Sequence, residues 1–589
     1  MAACAIVGIH PWRRTPLRRD IRSQLITSSA APPNTRRRSF AASLPEAVAV
    51  ALAVALPLGL AHHWLSLDGD PGRHIRVGET ILHSGLFYRD PFSFTKAGAP
   101  FVPYEWLSEV LTGLSVRAGG LGGLAVLTGG LLAATYAIVL RTLLRRGVTP
   151  IVAMLTLVLA MAVGSAHWHA RPHIFTLLGA AVLMALIDRA SDGRGTGSAR
   201  DAWWAAWPMI PLFALWANTH GGFLYGLFVL GAVVVGDRVE MLYAGDSTRE
   251  YWRGALIRHA AMLGTAACAA LLTPSGPKLY VHTLGYLRDS YLVDNTQEYM
   301  SPDFHTARFA LIALVLVTVI LAIVPRRPSF RSLAVIAINI AFSLVSGRNV
   351  ALFGVVALPL VAKELQHALV TWIPDLPARM GRPGRSGSVM RLVFGWPLAA
   401  VVAMAILARA TKRTDPSPDH FGLGSEVLPS TFNPDVFPVR AVTAARTAGL
   451  TGRLFHEFTW GGYILYAWPE QRVFIDGQTD FYGDSITREF TKIIGATPGW
   501  KRKLDTWKID LALLATESPL AEALVHEHGW RPVYCDSTAV IFRRDDSAPA
   551  SLEPDSSIAV SCRNLSIPPL DPAQGNPVAG LLRPRGSAD

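Results

Sequence analysis

Charge is scarce in this chain. Asp, Glu, Lys and Arg make up 17% of its 589 residues, against roughly 25% in soluble globular proteins. Cysteine is scarcer still, with four in all and neither a C-x-x-C pair nor a zinc-type spacing. That excludes a disulfide framework and a cysteine-based zinc fold. Cys535 and Cys562 could pair if their region is exported, but spacing alone decides nothing. What the chain has instead is apolar residues: 51% of the total, a mean hydropathy of +0.31, and recurring apolar runs near 20 residues over the first 410 positions. Runs of that length are the signature of bilayer-spanning helices. They exclude a purely soluble enzyme, a nucleic-acid binder and a disordered scaffold. The net charge of +12 reads as Arg-rich cytoplasmic loops.

Residues 1–43 hold eight arginines and no lysine. No short apolar core with a small-residue cleavage site follows in signal-peptide order, so this segment is expected to be a disordered cytoplasmic tail; an Arg-rich transit peptide is the alternative. Apolar runs near 45–64, 121–141, 150–166, 174–188, 203–217, 221–236, 257–273, 308–325, 332–346, 350–363 and 392–409 predict about eleven transmembrane helices within 44–410. With the N-terminus inside, the inside segments carry 26 Lys and Arg and the outside ones 10. Each inside loop has at least three, which is the positive-inside bias. An odd span count then puts everything after 410 outside. The first outer loop, 67–104, is long, and the stretch Glu105–Leu111 has helical apolar spacing that predicts a surface helix.

Beyond 410 the composition changes. Arg453–Phe458, Arg472–Asp476, Asp510–Ala515, Pro532–Asp536 and Ala539–Arg543 read as strands, and Val439–Ala448, Ser485–Ile494 and Pro519–His526 as helices. The alternation predicts an extracytoplasmic α/β domain over 411–545. The Pro-, Ser-, Gly- and Asp-rich tail, 546–589, is expected to be disordered.

Polar residues cluster at the outer ends of the spans: Asp68, Asp70 and His74; His167, His169, Arg171 and His173; Asn218 and His220; Glu298; Arg348 and Asn349. Each has a bland reading. Asp68-Gly69-Asp70 is also a turn signal, Asn218-Thr219-His220 also caps helices, and Arg348 can snorkel. The histidines of the second turn lie in a short hairpin, so they do not share the helical face of an i,i+4 metal pair. The convergence of ionisable groups on one membrane face is harder to dismiss, because such groups are costly there unless they serve a cavity or partner. Paired acids can deprotonate a hydroxyl or hold a divalent ion. Arg and His can grip phosphate. Apolar walls can hold a lipid tail.

The run Asp68-Gly69-Asp70-Pro71-Gly72-Arg73-His74, then Gly78-Glu79-Thr80-Ile81-Leu82, Asp90-Pro91-Phe92-Ser93-Phe94-Thr95 and Glu105-Trp106-Leu107, resembles the first outer loop of the bacterial branch of GT-C polytopic glycosyltransferases. The Asn218–Gly222 turn, Trp460-Gly461-Gly462-Tyr463 and Phe474-Ile475-Asp476-Gly477-Gln478-Thr479-Asp480 also look like that branch. Gly72-Arg73 depart from it, standing where the branch has bulky aromatics. The resemblance spans about 45–545. It implies an integral, multi-pass bacterial inner-membrane enzyme that moves a hexosyl or pentosyl group from a polyprenyl-phosphate-linked sugar to a glycan, lipid or protein acceptor. Asp70 would be the catalytic base or a metal-linked acid, with Asp68 assisting. His74, Arg171, His220, Arg348 and Asn218 would be the substrate and phosphate contacts. Metal dependence varies within the superfamily; should Mg²⁺ or Mn²⁺ take part, Asp68 and Asp70 are its candidate ligands.

Two other classes stand beside this reading. One is a multispanning transporter or lipid-binding protein, which would favour charges near the midplane and repeated halves; the chain has no internal repeat. The other is a non-catalytic or oligosaccharide-ligase-like role for the outer domain. Asp476 and Asp480 could bind sugar or a cation there, although acids after a strand more often satisfy local backbone donors.

Overall fold

The computed structural model describes residues 44–66, 68–192, 198–286, 291, 294, 297–324, 328–372 and 428–545. The basic tail 1–43, the expected span 392–409, the tail 546–589, Cys4 and Cys562 lie outside the described residues. Cys535 is disulfide-bonded.

Ten of the eleven apolar runs are helical. Leu44–Ser66, Pro150–Gly164, His173–Asp192, Phe223–Tyr243, Asp246–Ala269, Arg308–Ile323, Phe330–Val345 and Val350–Trp372 each take up one of them. The run at 203–217 is two helices, Ala199–Ala206 and Met209–Thr219, interrupted before Pro208, where the ring removes a helical donor. The run at 121–141 is the second half of Trp106–Arg145, which breaks at Gly119 and Gly120; Gly120 has φ +59°, a conformation glycine takes at no steric cost. The break separates the surface helix expected from Glu105–Leu111 from the span behind it. Among the described residues, four helices are long and apolar enough to cross a membrane: Trp106–Arg145, Pro150–His167, His173–Asp192 and Gly347–Trp372. Their outward faces carry large apolar side chains such as Leu155, Val158 and Val126. In water this would be a costly contiguous patch, whereas in lipid it is the expected exterior.

The loops meet in two sets of contacts. In one, Arg146 pairs with Asp188 at 2.7 Å, His259 with Asp237 at 2.6 Å, and Arg331 with Asp237 and Ser191. In the other, the first outer loop meets the turns at 167–173, 218–220, 297–299 and 346–349. Small residues let the helices approach: a Cβ on Gly179 would collide with the Trp216 ring, and one on Gly129 with Pro57.

The first outer loop is not irregular throughout. Asp70–Ser84 is a helix, begun by an Asx-type turn in which the Asp70 amide donates to Asp68 Oδ1 at 3.0 Å, with Pro71 in the first turn, where its missing N–H costs nothing.

The outer domain holds a four-stranded mixed sheet in the order β1-β2-β4-β3, with β1 Leu454–His456, β2 Leu511–Ala515, β3 Trp530–Cys535 and β4 Ala539–Arg544. β1 and β2 are parallel; the other pairs are antiparallel. The expected strand Arg472–Asp476 is not part of this sheet. Val473 forms a parallel bridge with Ser93, its amide donating to Phe92 O at 3.1 Å, and Thr95 Oγ1 donates to Phe474 O at 2.6 Å. An extended segment read as internal to the outer domain thus pairs with the first loop. Helix Gly461–Ala467, not expected from the sequence, packs on helix Asp70–Ser84. The approach is backbone to backbone, since a Cβ on Gly72 would collide with the Gly462 carbonyl and one on Gly69 with that of Thr459. This accounts for glycine at position 72, where an aromatic ring would hold the two helices apart.

Candidate functional site

Arg171 organises the outer face. Its Nη2 donates to Asp68 Oδ1 at 2.7 Å and its Nε to Asp68 Oδ2. Its Nη1 donates to Glu298 Oε1 at 2.7 Å and lies 3.1 Å from Asp70 Oδ2. One guanidinium therefore ties three carboxylates from two distant segments of the chain, using the fork geometry that a lysine lacks. Arg348 continues the chain of charge, 3.8 Å from Glu298 Oε2 and stacked over Tyr299.

The acids differ in environment. Asp68 is buried, with 3% of its side chain exposed, while Asp70 keeps 21%. Burial pushes the Asp70 carboxyl up to about 6, against the pull of Arg171 and with the added repulsion of Asp68. Burial opposes ionisation of Glu298 as well, but the charges of Arg171 and Arg348 outweigh it and hold that group at about 2. Asp70 is thus a partly accessible carboxylate with a raised pKa, the setting of a general base that works near neutrality. It is also roofed: a Cβ on Gly477 of the outer domain would collide with its carboxylate.

A second polar cluster adjoins the first. Arg73, buried, lies 3.2 Å from both Glu109 and Asp476 and donates to the Gln478 side-chain oxygen. It fastens the first loop to the outer domain. His74 Nδ1 lies 3.5 Å from Glu109, and His220 Nε2 3.6 Å from Glu105. His282 Nε2 lies 2.9 Å from Asp480 and its ring 5.0 Å from that of Tyr104. Burial, with repulsion from Glu109 and Asp480, pushes the Glu105 carboxyl well up.

The expected site residues thus fall into two clusters and a brace. Asp68, Asp70, Arg171 and Arg348 belong to the first cluster, with Glu298. His74 belongs to the second, within electrostatic reach of Asp70. Asn218 is the brace: its Oδ1 accepts from Trp106 Nε1 at 2.5 Å, and its Nδ2 donates to the Ala214 and Leu272 carbonyls. His220 reaches Glu105 from a fixed tautomer. Its Nδ1 accepts from the Gly222 amide at 3.0 Å and pairs with Thr176 Oγ1 at 2.8 Å; the proton therefore sits on Nε2, facing Glu105. Burial lowers the His220 pKa to about 3, so the ring is neutral. His173 Nε2 lies 2.6 Å from the His167 carbonyl, which binds the histidine-rich turn to itself. Glu105 and Glu109 had no part in the expected site. Their signal was two acids at i and i+4 in an otherwise apolar surface helix.

No protein-family model matches the chain, and no curated protein matches it. Among solved structures it is similar to the archaeal oligosaccharyltransferase AglB from Archaeoglobus fulgidus, in complex with an inhibitory peptide and a dolichol-phosphate. The identity is 14% and the TM-score 0.48, over 85% of this chain and 74% of that one. It is also similar to apo ArnT from Cupriavidus metallidurans, at 14% identity and a TM-score of 0.45, over 85% of this chain and 98% of that one. Likenesses this distant leave the function to be read from the chain's own residues.

Proposed function

We propose that this protein is a GT-C-type membrane glycosyltransferase that moves a sugar from a polyprenyl-phosphate donor to a hydroxyl acceptor on the extracytoplasmic face. One observation carries the reading: Asp70, a half-buried carboxylate with a raised pKa, is fixed by Arg171 at the outer end of an apolar helical bundle and covered by the outer domain. In this scheme Asp70 takes the proton of the acceptor hydroxyl as that oxygen bonds to the sugar C1. The bond from C1 to the phosphate oxygen breaks, and the polyprenyl phosphate leaves with the bonding pair. Attack opposite the leaving group inverts the anomeric centre. Arg171 spends its donors on Asp68, Asp70 and Glu298, so its role is to position the acids. Arg348, at the edge of the cluster with 26% of its side chain exposed, is the better placed cation for the departing phosphate, where a fixed charge acts on the transition state.

The decisive experiment supplies the purified protein, in lipid nanodiscs, with radiolabelled polyprenyl-phosphate hexose and pentose together with cell-envelope lipid and glycan acceptors. Release of polyprenyl phosphate and transfer of label are expected. Donors left intact with every acceptor would exclude the proposed reaction.

The reading also requires the first loop and the outer domain to lie on the non-cytoplasmic side. Ser84, Ser247 and Ser485 are exposed. Placed one at a time as cysteine in a background without Cys268, positions 84 and 485 should react with an impermeant thiol reagent added to intact cells. Position 247 should react only after lysis. Labelling of 84 and 247 from the same side would overturn the orientation.

A further inference from the structure

We propose that His74, Glu105 and Glu109 form a binding site for a divalent transition-metal cation, separate from the Asp68–Asp70 pair. One ligand atom from each of the three lies within 4.8 Å of the others. The helical register makes the pair: Glu105 and Glu109 stand one turn apart at the start of helix Trp106–Arg145. Helix Asp70–Ser84, packed against it, brings His74. A mixed imidazole and carboxylate set suits the transition metals and zinc better than Ca²⁺ or Mg²⁺, which favour oxygen alone.

Two further observations point to a ligand. The His74 side chain is only 9% exposed, yet Nδ1 facing Glu109 is its one polar contact among the described residues, and Nε2 has no partner there. The Glu105 carboxylate likewise accepts no hydrogen bond among the described residues, and the neutral His220 ring stands 3.6 Å from it. Both groups face each other across Glu109.

The surroundings resemble an outer shell around a metal site, in which ligating carboxylates are themselves held by donors. Arg73 holds one oxygen of Glu109, and its charge is answered by Asp476. His220, its proton fixed on Nε2, addresses one oxygen of Glu105. A second oxygen remains on each carboxylate. Two carboxylates balance a divalent ion, whereas without one two acids are held close together in a buried place. Metal–ligand distances of about 2.0–2.2 Å require the three side chains to draw together slightly, which rotamer adjustment supplies.

The proposal does not depend on glycosyl transfer, and its test is a binding measurement. Full-length protein in detergent is stripped with EDTA and titrated with Co²⁺, followed by metal content and the visible absorption bands of the ion. Wild type is expected to retain one Co²⁺ per chain, as is Asp70→Asn. His74→Gln and Glu105→Gln should each weaken Co²⁺ at least tenfold and lose or alter the bands. Since the Glu105 carboxylate accepts no hydrogen bond among the described residues, Glu105→Gln should keep the wild-type melting temperature of the stripped protein, so that lost metal is not lost fold. Co²⁺ should also raise the melting temperature of wild type and leave that of Glu105→Gln unmoved. No retained Co²⁺ in wild type, wild-type affinity in the two ligand variants, or loss in Asp70→Asn alone would each overturn the site.

Discussion

Replacing Arg171 with alanine is expected to destabilise the protein by about 3–5 kcal/mol, the cost of stranding buried charges whose partner has gone. Asp68 with 3% of its side chain exposed, Asp70 with 21% and Glu298 with 30% all draw on this one guanidinium. Without it the carboxyls can relieve their repulsion only by protonation, so their folded-state pKa values rise above the unfolded ones. A group raised in this way contributes full stability below its unfolded pKa and loses it as pH rises through the folded value. The defect of Arg171→Ala should therefore be largest near neutral pH and shrink as pH falls toward about 4. Thermal unfolding in detergent at several pH values measures this. Arg171→Lys restores a charge but not the fork and should recover only part of the loss. A wild-type melting temperature for Arg171→Ala at pH 7 would mean that the three carboxylates are not held by this residue.

Asp70→Asn is the complementary change: activity should go and the fold should stay. Asparagine fills the same space but cannot take a proton, and removing a general base costs roughly 10²–10⁴ in rate. Melting should hold or improve, because the substitution removes one of several mutually repelling buried carboxylates. In wild type, kcat/KM should rise with pH through a limb near 6, the value to which burial lifts Asp70. The direction follows from the role, since a base acts when ionised and ionisation is complete above its pKa. In Asp70→Asn that limb should be absent from any residual rate. Transfer from a polyprenyl-phosphate sugar, measured from pH 4.5 to 8, decides the matter. Full activity in Asp70→Asn would remove it from the reaction, even if the chain proves to be a glycosyltransferase.

The helical character of the apolar runs was legible because it depends on local hydrophobicity, although among the described residues four of these helices are long and apolar enough to cross a membrane. A run of some 20 apolar residues has few places to go but a bilayer, and ten of the eleven runs are helical. The sheet was read correctly at Leu454–His456, Leu511–Ala515, Trp530–Cys535 and Ala539–Arg544, where short β-rich runs lie between turn signals.

Arg472–Asp476 shows where local reading stops. An extended, buried segment looks the same whether it pairs within its own domain or with a loop about 380 residues earlier. Only the tertiary structure joins Val473 to Ser93. Helix Asp70–Ser84 was hidden by its own opening, because Asp-Gly-Asp-Pro-Gly reads as a turn, and the turn proved to be the start of a helix.

The sequence by itself determined the membrane-type architecture, the face on which the ionisable groups gather, and the candidacy of Asp68, Asp70 and Arg171. These follow from composition, periodicity and charge bias, which act over a few residues. What the tertiary structure decided is which charge meets which. That Arg171 holds Asp68, Asp70 and Glu298 together, that Arg73 bridges Glu109 to Asp476, and that His74 faces Glu105 and Glu109 are pairings between segments distant in the chain. An ion pair needs a few ångströms of proximity in a desolvated place. That proximity is set by helix packing and by the close backbone contact at Gly72 and Gly462, which no local pattern encodes.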